Sequence, residues 1–220
     1  ISRKEQQDFA ISSHYKANLA RESNMFDNEI VSITNNDEKI NKDGGIRPNT
    51  SHEILDGLKL AFDENGTVTA GTASPLTDGA SAVIVCEEEY AKKNNLNILA
   101  RIKSTAVVGC PPELMGLGPI NASKKALKRA NLSISDIDIV ELNEAFASQS
   151  LACIKELKMD INKVNIHGGA IALGHPLGAT GARITGKVAT LLQNKNKKYG
   201  LATQCIGLGQ GIATVLENIN

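Results

Sequence analysis

The stretch Gly168-Gly169-Ala170-Ile171-Ala172-Leu173-Gly174-His175-Pro176-Leu177-Gly178-Ala179-Thr180-Gly181-Ala182-Arg183 constrains this chain more than any other. It sets one histidine on a bend of glycine and proline, directly ahead of a small-residue helix. Gly178 and Gly181 lack the Cβ that would hold neighbouring backbone away, so this helix can pack closely. A histidine between Gly174 and Pro176 has little freedom to move, which suits a proton-transfer group that must be aimed. Such a bend also occurs for structural reasons alone, and the stretch by itself leaves both readings open.

The surrounding pattern predicts a layered fold. Ser2 and Glu5 have capping-box spacing for a polar helix ending near Arg21. Residues 29–33 alternate like a strand, 34–52 read as a polar loop containing Arg47-Pro48, 51–62 are helix-like, and 67–71 form a short strand. From Asp78 the chain is regular. Strands are expected over 80–86, 98–108, 137–141, 200–205 and 210–216, with a brief extended piece at 164–166. Helices are expected over 87–94, 121–130, 144–157 and 178–192. This alternation implies an α/β domain with helices on both faces of a mixed sheet.

Composition narrows the partners. Lys plus Arg and Asp plus Glu both total 24, so the formal net charge is zero, which gives no support for a nucleic-acid or membrane-surface partner. No apolar run approaches the roughly 20 residues of a membrane span. Cys86, Cys110, Cys153 and Cys205 are widely spaced without a Cys-x-x-Cys pair, so neither a metal site nor a disulfide framework is expected, and a reducing, cytoplasmic setting is. Cys86 and Cys153 lie in apolar periodic segments and are expected to be buried. The chain opens on Ile1 and a polar helix, which reads as neither a signal peptide nor a natural start; residues missing upstream are expected.

Two further segments carry chemistry. Cys205 ends an expected strand and is followed by Gly207-Leu208-Gly209-Gln210-Gly211, a turn whose backbone N–H groups could hold an oxyanion beside a thiol. Asn143-Glu144-Ala145-Phe146-Ala147 lies between a strand and a helix, where ligands bind in open α/β sheets; its plain reading is a helix cap and a first-turn acid.

Together Asn143-Glu-Ala-Phe-Ala, Gly174-His175-Pro176-Leu-Gly and Cys205-Ile-Gly207 resemble the thiolase family in order and spacing. The resemblance extends to Gly66-Thr-Val-Thr-Ala-Gly-Thr-Ala-Ser-Pro-Leu-Thr-Asp-Gly-Ala80 and Met115-Gly-Leu-Gly-Pro119. It implies the C-terminal half of the thiolase fold, residues 80–220, preceded by a coenzyme A-binding portion of the loop domain, residues 1–79. It implies acyl transfer on coenzyme A thioesters: Claisen condensation of two acetyl-CoA to acetoacetyl-CoA, or the reverse thiolysis. No cofactor or metal is implied, since the coenzyme A thioester is the substrate. His175 would activate an acyl-accepting cysteine and help bind the thioester oxygen, and Asn143 would hold a water completing that oxyanion hole. Cys205 would move the α-proton, and the Gly207 N–H would belong to a second oxyanion hole. Arg47 would lie against the adenine. Leu58, Phe62 and Ala70 would wall the pantetheine channel, Ser74 would hydrogen-bond the pantetheine, and Met115, Ala145 and Phe146 would line the acyl pocket.

The acyl-accepting cysteine of the family falls in a first half absent from this chain, so residues 1–220 are expected to be inactive alone. The partners implied are that missing half and further copies of the enzyme, as homodimer or homotetramer. Leu208 stands where the family usually carries glycine and is expected either to narrow the mouth of the site or to restrict the turn to negative φ; Pro75 replaces a commoner glycine or other residue. The main reading is an acetyl-CoA acetyltransferase, with Met115 and Asn143 suiting a short chain. The alternatives are a 3-ketoacyl-CoA thiolase for longer chains, a decarboxylating ketosynthase, and a non-catalytic scaffold fragment.

Overall fold

In the computed structural model, which describes residues 1–219, the first helix starts where its cap is written. Ser2 Oγ accepts the Glu5 N–H and Glu5 accepts the Ser2 N–H in return, so α1 (Arg3–Glu22) opens on a closed capping box. Its buried face carries Phe9, Ala10, Ser13, His14 and Ala17.

The segment after α1 is less regular than its pattern suggests. The strand expected over 29–33 is displaced into a small hairpin, β1 (Ile33–Asn35) with β2 (Glu38–Ile40), which lies inside the expected loop. Asn36 and Asp37 turn it at positive φ, as short polar side chains allow. The helix expected over 51–62 is only α2 (His52–Asp56), capped by Ser51 and closed by Gly57. Phe62, at φ 70, breaks any continuation. The strand expected over 67–71 reduces to one bridge, Leu60 with Thr69, and a 3-10 turn at Ala70–Thr72.

The largest departure is at 80–86. These residues form no regular element and pair with no strand among the described residues, and Val83, Ile84 and Val85 are 43, 89 and 69% exposed. Cys86 is exposed, not buried as its apolar surroundings suggested. An apolar run declares that it wants cover. The cover must come from a neighbouring strand that pairs its N–H and C=O groups, and no described residue supplies one.

From α3 (Glu88–Lys93) onward the expected order holds within a few residues. Strands β3 (Arg101–Gly109), β4 (Ile139–Leu142), β5 (Tyr199–Ile206) and β6 (Gln210–Glu217) form one sheet in the order β3-β6-β5-β4. β4 runs parallel to β5, and the other pairings are antiparallel. Helices α4 (Gly118–Ala130) and α5 (Ala147–Leu157) cover one face, with α1 packed on α5, and α7 (Leu177–Asn194) covers the other. Strands β4 and β5 are buried on both faces. Val140, Leu142 and Leu201 join the core under α4 and α5, whereas Ile139 and Ala202 join Ile184, Val188 and Leu191 of α7. A Cβ on Gly211 would lie 2.1 Å from the Gly118 carbonyl carbon, so the first turn of α4 rests backbone on backbone against β6.

Candidate active site

The parallel pair β4 and β5 builds the site floor. Leu142 is opposite Thr203, and the Asn143 N–H continues the ladder to Thr203 O at 3.0 Å. Adjacent strands lie about 4.8 Å apart, so Asn143 and Cys205 emerge close together at neighbouring carboxyl ends, where open α/β sheets place ligands. The chain then returns His175 to the same edge through Gly168–Gly174 and the short helix α6 (Ala170–Leu173).

His175 is fixed from several sides. Gly174 holds φ 93, and a Cβ there would meet Thr77 Cγ2 at 2.5 Å; this is one position where only glycine fits. The His175 N–H donates to Thr77 Oγ1 at 3.2 Å, and that hydroxyl donates to Pro75 O at 2.7 Å. Nδ1 of the ring lies 2.7 Å from Thr180 Oγ1, and Nε2 lies 3.2 Å from Asn143 Nδ2. Burial, and secondarily the Arg183 charge, hold the imidazole pKa below its ordinary value, so the ring is neutral at pH 7. Asn143 is 1% exposed, and its Oδ1 has no protein partner.

Cys205 is 7% exposed and is the last residue but one of β5, opposite Gly211. Burial pushes its thiol up to about 11, so it rests protonated. The turn that follows contains exposed Gly207 and brings the chain back through Leu208 at φ 67 and Gly209 at φ 90. The expected restriction of Leu208 to negative φ is thus corrected. A three-residue hairpin loop demands left-handed backbone, and the leucine side chain meets the demand by standing 89% in solvent.

Glu144, read from sequence as a first-turn acid, is neither exposed nor in a helix turn, since α5 begins at Ala147. It is 1% exposed and accepts three hydrogen bonds: from Ser13 Oγ at 2.6 Å, Asn165 Nδ2 at 2.8 Å and the Ile171 N–H at 3.1 Å. Ser13 Oγ in turn accepts the Gly169 N–H at 3.1 Å. The carboxylate therefore ties α1, the turn after β4 and the histidine segment together. Burial pushes its pKa up, while these donors pull it back. Thr77, Thr180, Ser13 and Asn165 were likewise unmarked in the sequence; each is a polar residue whose partner lies in a distant segment or in the fold of a bend.

The residues expected to meet coenzyme A are partly gathered. Ala73 bridges Phe146, and both the N–H and the hydroxyl of Ser74 donate to Ala145 O, at 3.0 and 3.2 Å. The Ser74 oxygen can still accept a bond from an amide. Phe62, 87% exposed, packs edge-to-face on Phe146 with ring centroids 6.0 Å apart. Leu58 is half-buried against the core, and Ala70 is exposed. Arg47 is exposed at a loop whose backbone is anchored, its N–H donating to His14 Nδ1 at 3.1 Å. Burial lowers His14 to about 4, which keeps it neutral as the acceptor. Met115 lies in the 3-10 turn Pro112–Leu117, which is held to α5 where Cys153 Sγ donates to Gly116 O at 3.5 Å. No group of three His, Cys, Asp or Glu among the described residues could hold a metal ion.

Comparison with known proteins gives one answer at three levels. The sequence model of the thiolase C-terminal domain matches residues 96–218, and that of the thiolase N-terminal domain matches 1–89. The 3-ketoacyl-CoA thiolase of Shewanella loihica is 54% identical over 226 residues, covering 99% of this chain and 58% of that protein. The 3-ketoacyl-CoA thiolase of Photobacterium profundum is 53% identical over 229 residues, covering 100% of this chain and 59% of that protein. Among solved structures, human mitochondrial 3-ketoacyl-CoA thiolase in complex with CoA superposes with a TM-score of 0.96 at 45% identity, over 99% of this chain and 55% of that one. The Bacillus anthracis acetyl-CoA acetyltransferase gives 0.94 at 43% identity, over 99% and 56%. The chain thus spans somewhat over half the length of the curated relatives it matches. With both domain models matched in order and the fold shared almost throughout, the chain belongs to the thiolase family.

Proposed function

We propose that the complete protein carrying this chain is a 3-ketoacyl-CoA thiolase, cleaving a 3-ketoacyl-CoA with coenzyme A to acetyl-CoA and a shortened acyl-CoA. The observation that carries this is the contact of neutral His175 with Asn143 at the carboxyl end of β4, beside the parallel strand β5 whose own carboxyl end carries the protonated Cys205. The names of the relatives favour this substrate over the acetoacetyl-CoA condensation first read from Met115 and Asn143.

In this reading His175 Nε2 takes the proton of an acyl-accepting cysteine supplied by the rest of the protein. The thiolate attacks the 3-keto carbon, the C2–C3 bond breaks, and acetyl-CoA leaves as its enolate. The Cys205 thiol gives its proton to that enolate, and the resulting thiolate recovers one from incoming coenzyme A. The coenzyme A thiolate then releases the acyl group from the cysteine, which regains its proton from His175. Asn143 with His175, and the Gly207 N–H, stabilise the oxygens where charge develops. A thiol kept protonated by burial is in the right state to give its proton first. Residues 1–79, with Arg47, Leu58, Phe62, Ala70 and Ser74, would contact coenzyme A, and Met115, Ala145 and Phe146 the acyl chain. The protein would work in the cytoplasm as a dimer or tetramer, without a further cofactor.

Steady-state thiolysis by the complete enzyme across chain lengths tests the reading. A kcat/KM that rises from acetoacetyl-CoA to longer 3-ketoacyl-CoA supports it; preference for acetoacetyl-CoA returns the assignment to acetyl-CoA acetyltransferase. Cys205→Ala should permit acylation from an acyl-CoA yet abolish carbon–carbon bond formation and cleavage.

A further inference from the structure

Thr180 is fully buried in the first turn of α7. Its Oγ1 stands 2.7 Å from His175 Nδ1 and 2.9 Å from Pro176 O. A hydroxyl has one proton to give and lone pairs with which to accept. Pro176 O, which also takes the Ala179 and Thr180 N–H groups, can only accept, and the geometry directs the hydroxyl proton to it, leaving Oγ1 as the acceptor on the ring side. His175 Nδ1 must then be the donor to Thr180 Oγ1. That places the single proton of the neutral ring on Nδ1 and leaves the lone pair on Nε2. The opposite side of the ring fits the same arrangement, with Asn143 Nδ2, a donor as placed, facing Nε2 at 3.2 Å. The β-branched side chain also restricts χ1, so the hydroxyl is held as well as placed.

We propose that Thr180 is a positioning residue that fixes His175 in the tautomer whose Nε2 is free to act as a base. The inference rests on the thiolase reading of the site. It explains how one nitrogen serves two duties. Nε2 accepts the cysteine proton and, once protonated, donates to the thioester oxygen, while Nδ1–H remains on Thr180 throughout.

The test uses the complete enzyme with histidine-selective 15N labelling, comparing wild type with Thr180→Val and Thr180→Ser. The wild-type His175 resonances should show a protonated Nδ1 and an unprotonated Nε2. Thr180→Val, isosteric without the hydroxyl, should mix the two tautomers and lower the acylation kcat by about tenfold or more, with KM little changed. Thr180→Ser should restore both the tautomer and most of the rate. A protonated Nε2 in the wild type overturns the proposal whatever the variants do, as does a Thr180→Val enzyme with the wild-type tautomer and rate. An inactive His175→Ala beside a fully active Thr180→Val sinks the inference alone; undiminished acylation by His175→Ala overturns the site reading with it.

Discussion

At the residue scale, Glu144 makes the sharpest demand on chemistry. Each of its three partners is a donor, so the site needs an acceptor on both oxygens. Glu144→Gln keeps the volume but turns one oxygen into an NH2 group facing a donor. Leaving buried donors unpaired costs about 1–3 kcal/mol each, so urea unfolding of the variant should show a loss of at least that size. Because the same carboxylate holds the Ile171 N–H and, through Ser13, the Gly169 N–H, the complete enzyme should also lose kcat beyond its loss of stability. A variant as stable and active as the parent would show that the network is slack. Gly, Pro and strand ends drew attention to His175, Cys205 and Asn143 in the sequence, but their proposed roles came from the resemblance to the thiolase family and not from those flanks. The role of Glu144 was not legible, since its partners Ser13 and Asn165 lie 131 and 21 residues away and no local pattern points to them.

At the element scale, the regular half of the chain was readable because both periods were strong: short apolar strands, and α4 and α7 with clear apolar faces. The irregular half was not, because within residues 29–72 the hairpin β1–β2 and the helix α2 are too short for a period to show, and the rest is held by isolated bridges and side-chain bonds. Edge strand β3 shows a device that sequence hides. Among the described residues it pairs with β6 on one side only, and on the other the Lys125 Nζ donates to Val107 O while Arg129 donates to Thr105 O. The two cations sit four apart on α4, so one helix face shields two edge carbonyls. Exposed bonds of this kind add little stability, at most about 1 kcal/mol. Replacing both residues with alanine should leave the unfolding midpoint nearly unchanged yet raise concentration-dependent light scattering. Unaltered scattering at high concentration would show that the edge is protected by other means.

At the scale of the whole molecule, the unpaired run 80–86 decides how the chain relates to the rest of its protein. The N-terminal domain model of the family extends to residue 89, across this run, and the relatives are considerably longer than the chain. An apolar segment with no strand beside it fits a sheet supplied by that additional length. Burying an isoleucine side chain is worth about 1.5–3 kcal/mol, and Ile84 is 89% exposed here. Ile84→Lys should therefore act differently in two settings. In residues 1–220 alone it should leave the thermal midpoint unchanged and reduce self-association by sedimentation velocity, since only an exposed patch is removed. In the complete enzyme the same substitution should lower the midpoint, because there the side chain would lose its cover. Equal effects in both would mean that the run is solvent-facing in the whole protein too. Neither form of the short chain should turn over a 3-ketoacyl-CoA. Its two buried thiols, Cys153 and Cys205, are pushed up to about 12 and about 11, far from the lowered pKa an acyl-accepting thiolate needs. Thiolysis by the short chain would relocate the nucleophile to one of its own cysteines and undo the division of labour proposed for His175.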